Sequence, residues 1–167
     1  MSAIAMSSGT TEFPVNAAVN ARERFAAIVD LENVAIMDDG RVSLPEMRIL
    51  LSAIGSRVTD MPVRVATGIN VLRPYMGLLR VQRWGLTLVK TESDAADKAL
   101  CEAARDFVRC GVTDIVVVGG DHAYVPLAAH ARLHVISHAD HLSKALRLAG
   151  TTVTFLPELR LTVQAAG

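Results

Sequence analysis

The sequence predicts an α/β protein: a single domain whose mainly parallel sheet is covered by helices on both faces. Three observations predict it. Short apolar runs such as Phe25–Val29 and Ile115–Val118 lack the polar alternation of a half-exposed sheet, so both of their faces are buried. Helical patterns separate successive runs, as crossovers between parallel strands require. Hydrophobic residues form 51% of the 167-residue chain and charged residues 20%, which suits one well-packed core and not a disordered chain. Aromatics are only 4%, so that core is built from Val, Leu, Ile and Ala.

The elements follow in order. Phe25 to Val29 is the first buried strand. Ser43 with Pro45 starts a helix, which Met47, Leu50, Leu51 and Ile54 continue at helical spacing and Gly55 stops. Val63 to Ala66 is the second strand, and Pro74 to Arg83 the helix behind it. Leu86 to Val89 is the third strand. Asp94 to Arg109 is a long helix, with Ala96, Leu100, Ala103, Ala104 and Phe107 at helical spacing. Ile115 to Val118 is the fourth strand, Tyr124 to Ala131 a helix, and Leu133 to Ile136 the fifth strand. His141 to Leu148 is the last helix, ended by Gly150, and Val153 to Phe155 the last strand. Residues 1–23, rich in Ser, Ala, Thr and Asn, read as a flexible tail, residues 24–160 as the domain, and residues 161–167 as a C-terminal tail.

Seventeen basic residues balance seventeen acidic ones. Net charge therefore points to no partner, and only its distribution can. Cys101 and Cys110, nine residues apart on one predicted helix, face opposite ways and should not pair. Free thiols fit a reducing cytoplasm. No apolar run reaches membrane-span length, and the N-terminus lacks the basic start and apolar stretch of a secretion signal. The expectation is a cytoplasmic protein with no membrane partner. The chain carries no GxSxG and no Walker A motif, and GGD at residues 119–121 is not a dinucleotide fingerprint.

In parallel sheets, sites lie beyond the carboxyl ends of the strands, and acids gather there. Asp30 ends the first strand, with Glu32 and Asn33 just after. Asp94 and Asp97 lie in the first turn of the long helix. Asp121 ends the fourth strand. Each has a plain structural reading. Asp94 and Asp97 suit the start of a helix, Asp121 can cap the next one, and Asn33 can hold a turn. Asp30 is harder to explain so. Carboxylates on one edge repel one another and are tolerated together when a hard cation such as Mg²⁺ neutralises them.

In order and spacing, VDLENV, SDAADKAL and VVVGGDHAYVPLA resemble the NYN domain, a branch of the PIN-like nucleases. The limkain-type, LabA-like members are the most similar. The resemblance covers residues 24–159. It implies a Rossmann-like three-layer sandwich with about five or six strands, and hydrolysis of RNA assisted by Mg²⁺ or Mn²⁺. By position it implies Asp30, Asp97 and Asp121 as catalytic metal-binding acids. Asn33 would position a metal ligand, a water or a phosphate, and Asp94 and His122 would support the site. Two positions depart from the family pattern. Ala123 stands where many members carry a second acid, and Ala66-Thr67-Gly68 ends the second strand without one. These departures open an alternative, a weak or inactive NYN domain that binds RNA or a protein partner. A different metal-dependent phosphoryl enzyme on the same sheet is a third reading.

Residues 61–91 contain Arg64, Arg73, Arg80, Arg83 and Lys90 and no acid. Such a basic face beside an acidic pocket suits a phosphate backbone, although solvated helix positions look the same. Lys90 and Lys98 flank the acidic turn and are the best phosphate contacts. Arg73, Arg80 and Arg83 are further RNA-binding candidates. Tyr75 or Trp84 can stack on a base, or Trp84 closes the core. His138 and His141 have a spacing that can hold a transition metal on a helix. A homodimer through a sheet edge or an apolar helix face is also expected.

Overall fold

The structure, a computed structural model, describes residues 24–159. The expected tails at 1–23 and 161–167 lie outside them, as does residue 160. The main sheet has six parallel strands. They are β1 (Phe25–Asp30), β4 (Val63–Gly68), β5 (Gly85–Val89), β6 (Asp114–Val118), β7 (Arg132–Ser137) and β8 (Thr152–Phe155). Their spatial order is β5-β4-β1-β6-β7-β8. In chain order the sheet grows outward from β1 first one way, then the other, which is the Rossmann arrangement. The molecule is an α/β three-layer sandwich, as the sequence predicts.

The sheet feeds two cores because successive side chains point to opposite faces. Ala27 and Val29 of β1 join α2 (Leu44–Arg57), where Met47, Leu50, Leu51 and Ile54 are buried. Ala26 and Ile28 join Ala96, Leu100 and Ala104 of α5 (Ala95–Arg109) and Leu146 of α6 (Lys144–Ala149). The start of α2 closes as a capping box. Ser43 Oγ accepts from the Glu46 amide at 3.3 Å, and Glu46 accepts from the Ser43 amide at 2.7 Å. Trp84 packs against the first core.

Several boundaries differ from expectation, each for a local reason. Helix α2 runs through Gly55 to Arg57. A Cβ on Gly55 would lie 3.1 Å from Gln82 Oε1, the end of a flexible side chain. The expected helix at 74–83 is a 3₁₀ turn (Arg73–Tyr75) followed by α4 (Met76–Gln82), with α3 (Ile69–Leu72) before them. The expected helix at 124–131 is 3₁₀ over His122–Ala129. Pro126 lies inside it and has no amide to donate. The carbonyl of Ala123, three residues back, instead accepts from Cys101 Sγ at 3.7 Å. The last helix starts three residues later than expected, where Ser143 Oγ accepts from the Leu146 amide at 3.1 Å. The sequence reading missed the short helix α1 (Leu31–Ala35) and the antiparallel ribbon of β2 (Ile36–Met37) and β3 (Gly40–Arg41).

One acid missed in the sequence is purely structural. Asp114, 2% exposed, opens β6 at the edge opposite Asp30. It accepts from Thr113 Oγ1 at 2.7 Å, Arg132 Nη2 at 2.9 Å and His134 Nε2 at 2.9 Å. Burial pushes its pKa up, but these partners outweigh burial and hold it at about 2. Its stabilising effect is complete above the ordinary value of 3.8 and is lost as pH falls through about 2. Asp114→Asn is expected to cost about 2 kcal/mol at neutral pH. In urea titrations the gap to wild type should close between pH of about 4 and about 2. A gap that stays constant with pH would exclude this origin.

Candidate functional site

The carboxyl edge of β1 and β6 is the switch point of the sheet, where strand order reverses and a crevice opens. Asp30 is the last residue of β1 and caps α1. Its Oδ1 accepts from the Asn33 amide at 3.2 Å. Its other oxygen, Oδ2, faces the Tyr124 hydroxyl at 2.9 Å. Asp97, on the first turn of α5, faces the same hydroxyl through Oδ1 at 3.1 Å. Thus β1, α5 and the 3₁₀ segment meet at a single phenol oxygen.

The proton count at this point is short. Tyr124 is fully buried. Burial and the two adjacent carboxylates push its pKa far above the ordinary 10, so the phenol keeps its proton. It has one hydrogen to donate and two carboxyl groups in reach. Among the described residues, no Lys, Arg or His forms an ion pair with Asp30 or Asp97. One more proton or cation is needed to satisfy the pair. Burial is the main cause that lifts Asp30 to about 6, and Asp97 and Glu32 add to it against the Asn33 and Tyr124 hydrogen bonds. Asp97 is lifted too, again mainly by burial, with Asp121 and Asp94 adding repulsion.

Asp121 lies on the rim and also acts as a cap. Its Oδ1 accepts from the Ala123 amide at 2.8 Å and lies 3.2 Å from Nδ1 of the exposed His122. Among the described residues, no group of three or more His, Cys, Asp or Glu is arranged to hold a metal ion. The structure therefore joins Asp30 with Asp97 and leaves Asp121 beside them. Asp94 sits at the start of α5 but makes no capping bond, because its φ of 70° turns the side chain away from the helix amides. Asn33 is a staple. Its Oδ1 accepts from the Gly120 amide at 3.0 Å, and its carbonyl accepts from His141 Nδ1 at 2.9 Å.

An open cleft of about 430 Å³ follows α5 from this point, walled by Asp94, Asp97, Lys98, Arg105, Asp121 and His122. A cavity of similar volume, about 430 Å³, beside Phe25, His134 and Thr152 has no carboxylate in its lining. Charge, not size, distinguishes these two. Lys98 lines the cleft, and Lys90 is exposed just past the end of β5. Arg73 follows α3 near the same edge. Arg80 and Arg83 do not belong with them. Helix α4 carries them back toward Gly85, the first residue of β5, at the opposite edge. Tyr75 is 1% exposed and donates to the Val42 carbonyl at 2.6 Å, so it cannot stack on a base. His138 and His141 each face a backbone carbonyl, of Val34 and Asn33, and do not form a metal pair on a helix. Cys101 and Cys110 are free thiols.

Fold and edge together define a Rossmann-like α/β protein with an acidic strand-end cleft. No family model and no curated protein matches the chain. Among solved structures, it is similar to a protein of unknown function from Vibrio parahaemolyticus. The two share 11% sequence identity and a TM-score of 0.59, over 83% of this chain and 96% of that one. A likeness at this identity concerns the fold alone. No helix among the described residues is long and apolar enough to cross a membrane.

Proposed function

We propose that the chain is a ribonuclease of the NYN/PIN-like type that uses Mg²⁺ or Mn²⁺. The observation that carries the reading is the Asp30–Tyr124–Asp97 junction, where a buried and a half-buried carboxyl group share one phenol proton. The oxygen-only donor set fits a hard divalent cation, which commonly takes one or two carboxylates and keeps several waters. Asp30 and Asp97 would hold it. When bound, such a cation supplies an activated water and neutralises charge on the transferring phosphate. Asp121 faces the cleft from the rim, and Lys98, with Lys90 and Arg73 beyond, meets the RNA phosphates. The sheet-edge dimer has its natural seat on β5, where Leu86 and Leu88 are exposed on an outer strand.

The expected result is cleavage of single-stranded or structured RNA with Mn²⁺ or Mg²⁺, abolished by EDTA and by Asp97→Asn. Cleavage that survives EDTA sinks the reading. The engagement of Asp121 with its own helix start, and Ala123 beside it, favour a second reading: an RNA-binding module without cleavage. Tight RNA binding that ignores both Mn²⁺ and Asp97→Asn would select it.

A further inference from the structure

We propose that Tyr124 is a positioning residue whose hydroxyl holds Asp30 and Asp97 at the spacing a divalent cation needs, an inference that rests on the metal-dependent reading above. The two acids arrive on elements far apart in the chain, a strand end and a helix start. Left alone, their carboxyl groups repel each other, and nothing on β1 or α5 fixes the gap between them. Tyr124 supplies the common point, at 2.9 Å from one and 3.1 Å from the other.

The ring is anchored independently of the hydroxyl. It lies in the second core with Leu100, Leu127 and Leu146. Its Cε2 edge lies close to Gly119, where an added Cβ would meet it at 3.5 Å. The residue before it is held through both its amide and its carbonyl. Asp121 Oδ1 takes the Ala123 amide, and Cys101 Sγ donates to the Ala123 carbonyl. A phenylalanine would serve this packing equally well. Burying a hydroxyl beside two acids is costly unless it is used, and its hydrogen-bond partners among the described residues are those acids. Asp121 and Cys101 therefore act on the acid pair at one remove, by aiming Tyr124.

Tyr124→Phe in the full-length protein tests this. Ring and core remain, and only the hydroxyl goes. Mn²⁺ affinity by calorimetry is expected to fall by about 10- to 100-fold, the usual effect of losing an outer-shell partner. The melting temperature in EDTA should stay near wild type. Carboxyl ¹³C signals of Asp30 and Asp97 in the metal-free protein should move, because each loses the phenol hydroxyl it faces. Mn²⁺ affinity within about twofold of wild type, with unmoved carboxyl signals, overturns the proposal. If wild type takes up no Mn²⁺, the metal-dependent reading fails, and the carboxyl signals alone then decide the role of Tyr124.

Discussion

Asp30→Asn should abolish RNA cleavage and, at neutral pH, make the metal-free protein more stable. The two effects share one cause. Asp30 is 6% exposed and its pKa stands at about 6 against an ordinary 3.8. Between those values the folded protein binds a proton that the unfolded chain releases. Stability therefore falls as pH rises from about 4 to about 6 and stays lowered above that. A shift of about 2 pH units corresponds to roughly 3 kcal/mol. The amide introduced by Asp30→Asn cannot ionise, and its Oδ1 can still accept from the Asn33 amide. The variant should therefore lose the Asp30 share of the stability slope in that range, keep the share of Asp97, and gain on the order of 1–3 kcal/mol at pH 7. Cleavage should drop by about 10²- to 10³-fold or more, as when a charge-stabilising group is removed. Urea titrations from about pH 4 to pH 8 in EDTA, beside an RNA assay with Mn²⁺, read both effects. A variant less stable than wild type at pH 7 would mean that Asp30 is a structural acid like Asp114. Full activity would remove it from the chemistry. The combination of lost function and gained stability marks a residue kept for use rather than for folding.

What the sequence shows of this site depends on how local the information is. The strands were legible because a buried parallel strand announces itself in four or five consecutive residues, and the acids were legible because they sit at strand and helix ends. Tyr124 was not. In VVVGGDHAYVPLA it reads as the first residue of a helix, and its partners Asp30 and Asp97 are 94 and 27 residues away. The available hint was Pro126, which breaks the α pattern and leaves a 3₁₀ segment. The basic run divides for a related reason. Arg73, Arg80 and Arg83 are close in sequence, but a crossover travels from one edge of the sheet to the other, so neighbours in the run end at opposite edges. His138 and His141 looked like a metal pair because three-residue spacing suits a helix; the chain is only a single 3₁₀ turn there, and both rings face carbonyls of α1. Asp94 shows the limit of a positional rule: it holds the capping position but not the backbone conformation that capping needs.

Gly120→Ala should be the most damaging glycine-to-alanine change among the described residues. Gly119 and Gly120 follow β6, and the structure identifies what comes close to the second of them. A Cβ on Gly120 would lie 2.2 Å from the His141 carbonyl oxygen, 2.5 Å from its carbon and 2.8 Å from Ser137 Oγ. Two of these are main-chain atoms, so no rotamer change relieves the clash. Nor can the loop move freely. The Gly120 amide donates to Asn33 Oδ1 at 3.0 Å, and its carbonyl accepts from the Ser143 amide at 2.8 Å. Relief requires parting β6 from the connection between β7 and α6, which breaks both bonds and unseats the cap of α6. The expected cost is about 4 kcal/mol, a drop in melting temperature of roughly 8–16 °C for a chain of this size. Gly119→Ala is the control. Its φ of +156° is unusual for a side chain, but the nearest atom to an added Cβ is Asp30 Cβ at 3.2 Å, a contact that a shift of a few tenths of an ångström relieves. It should cost about 1–2 kcal/mol. A Gly120→Ala protein as stable as Gly119→Ala would refute the close approach. If the expected order holds, the second glycine is explained by the His141 backbone, and substrate access need not be invoked for it.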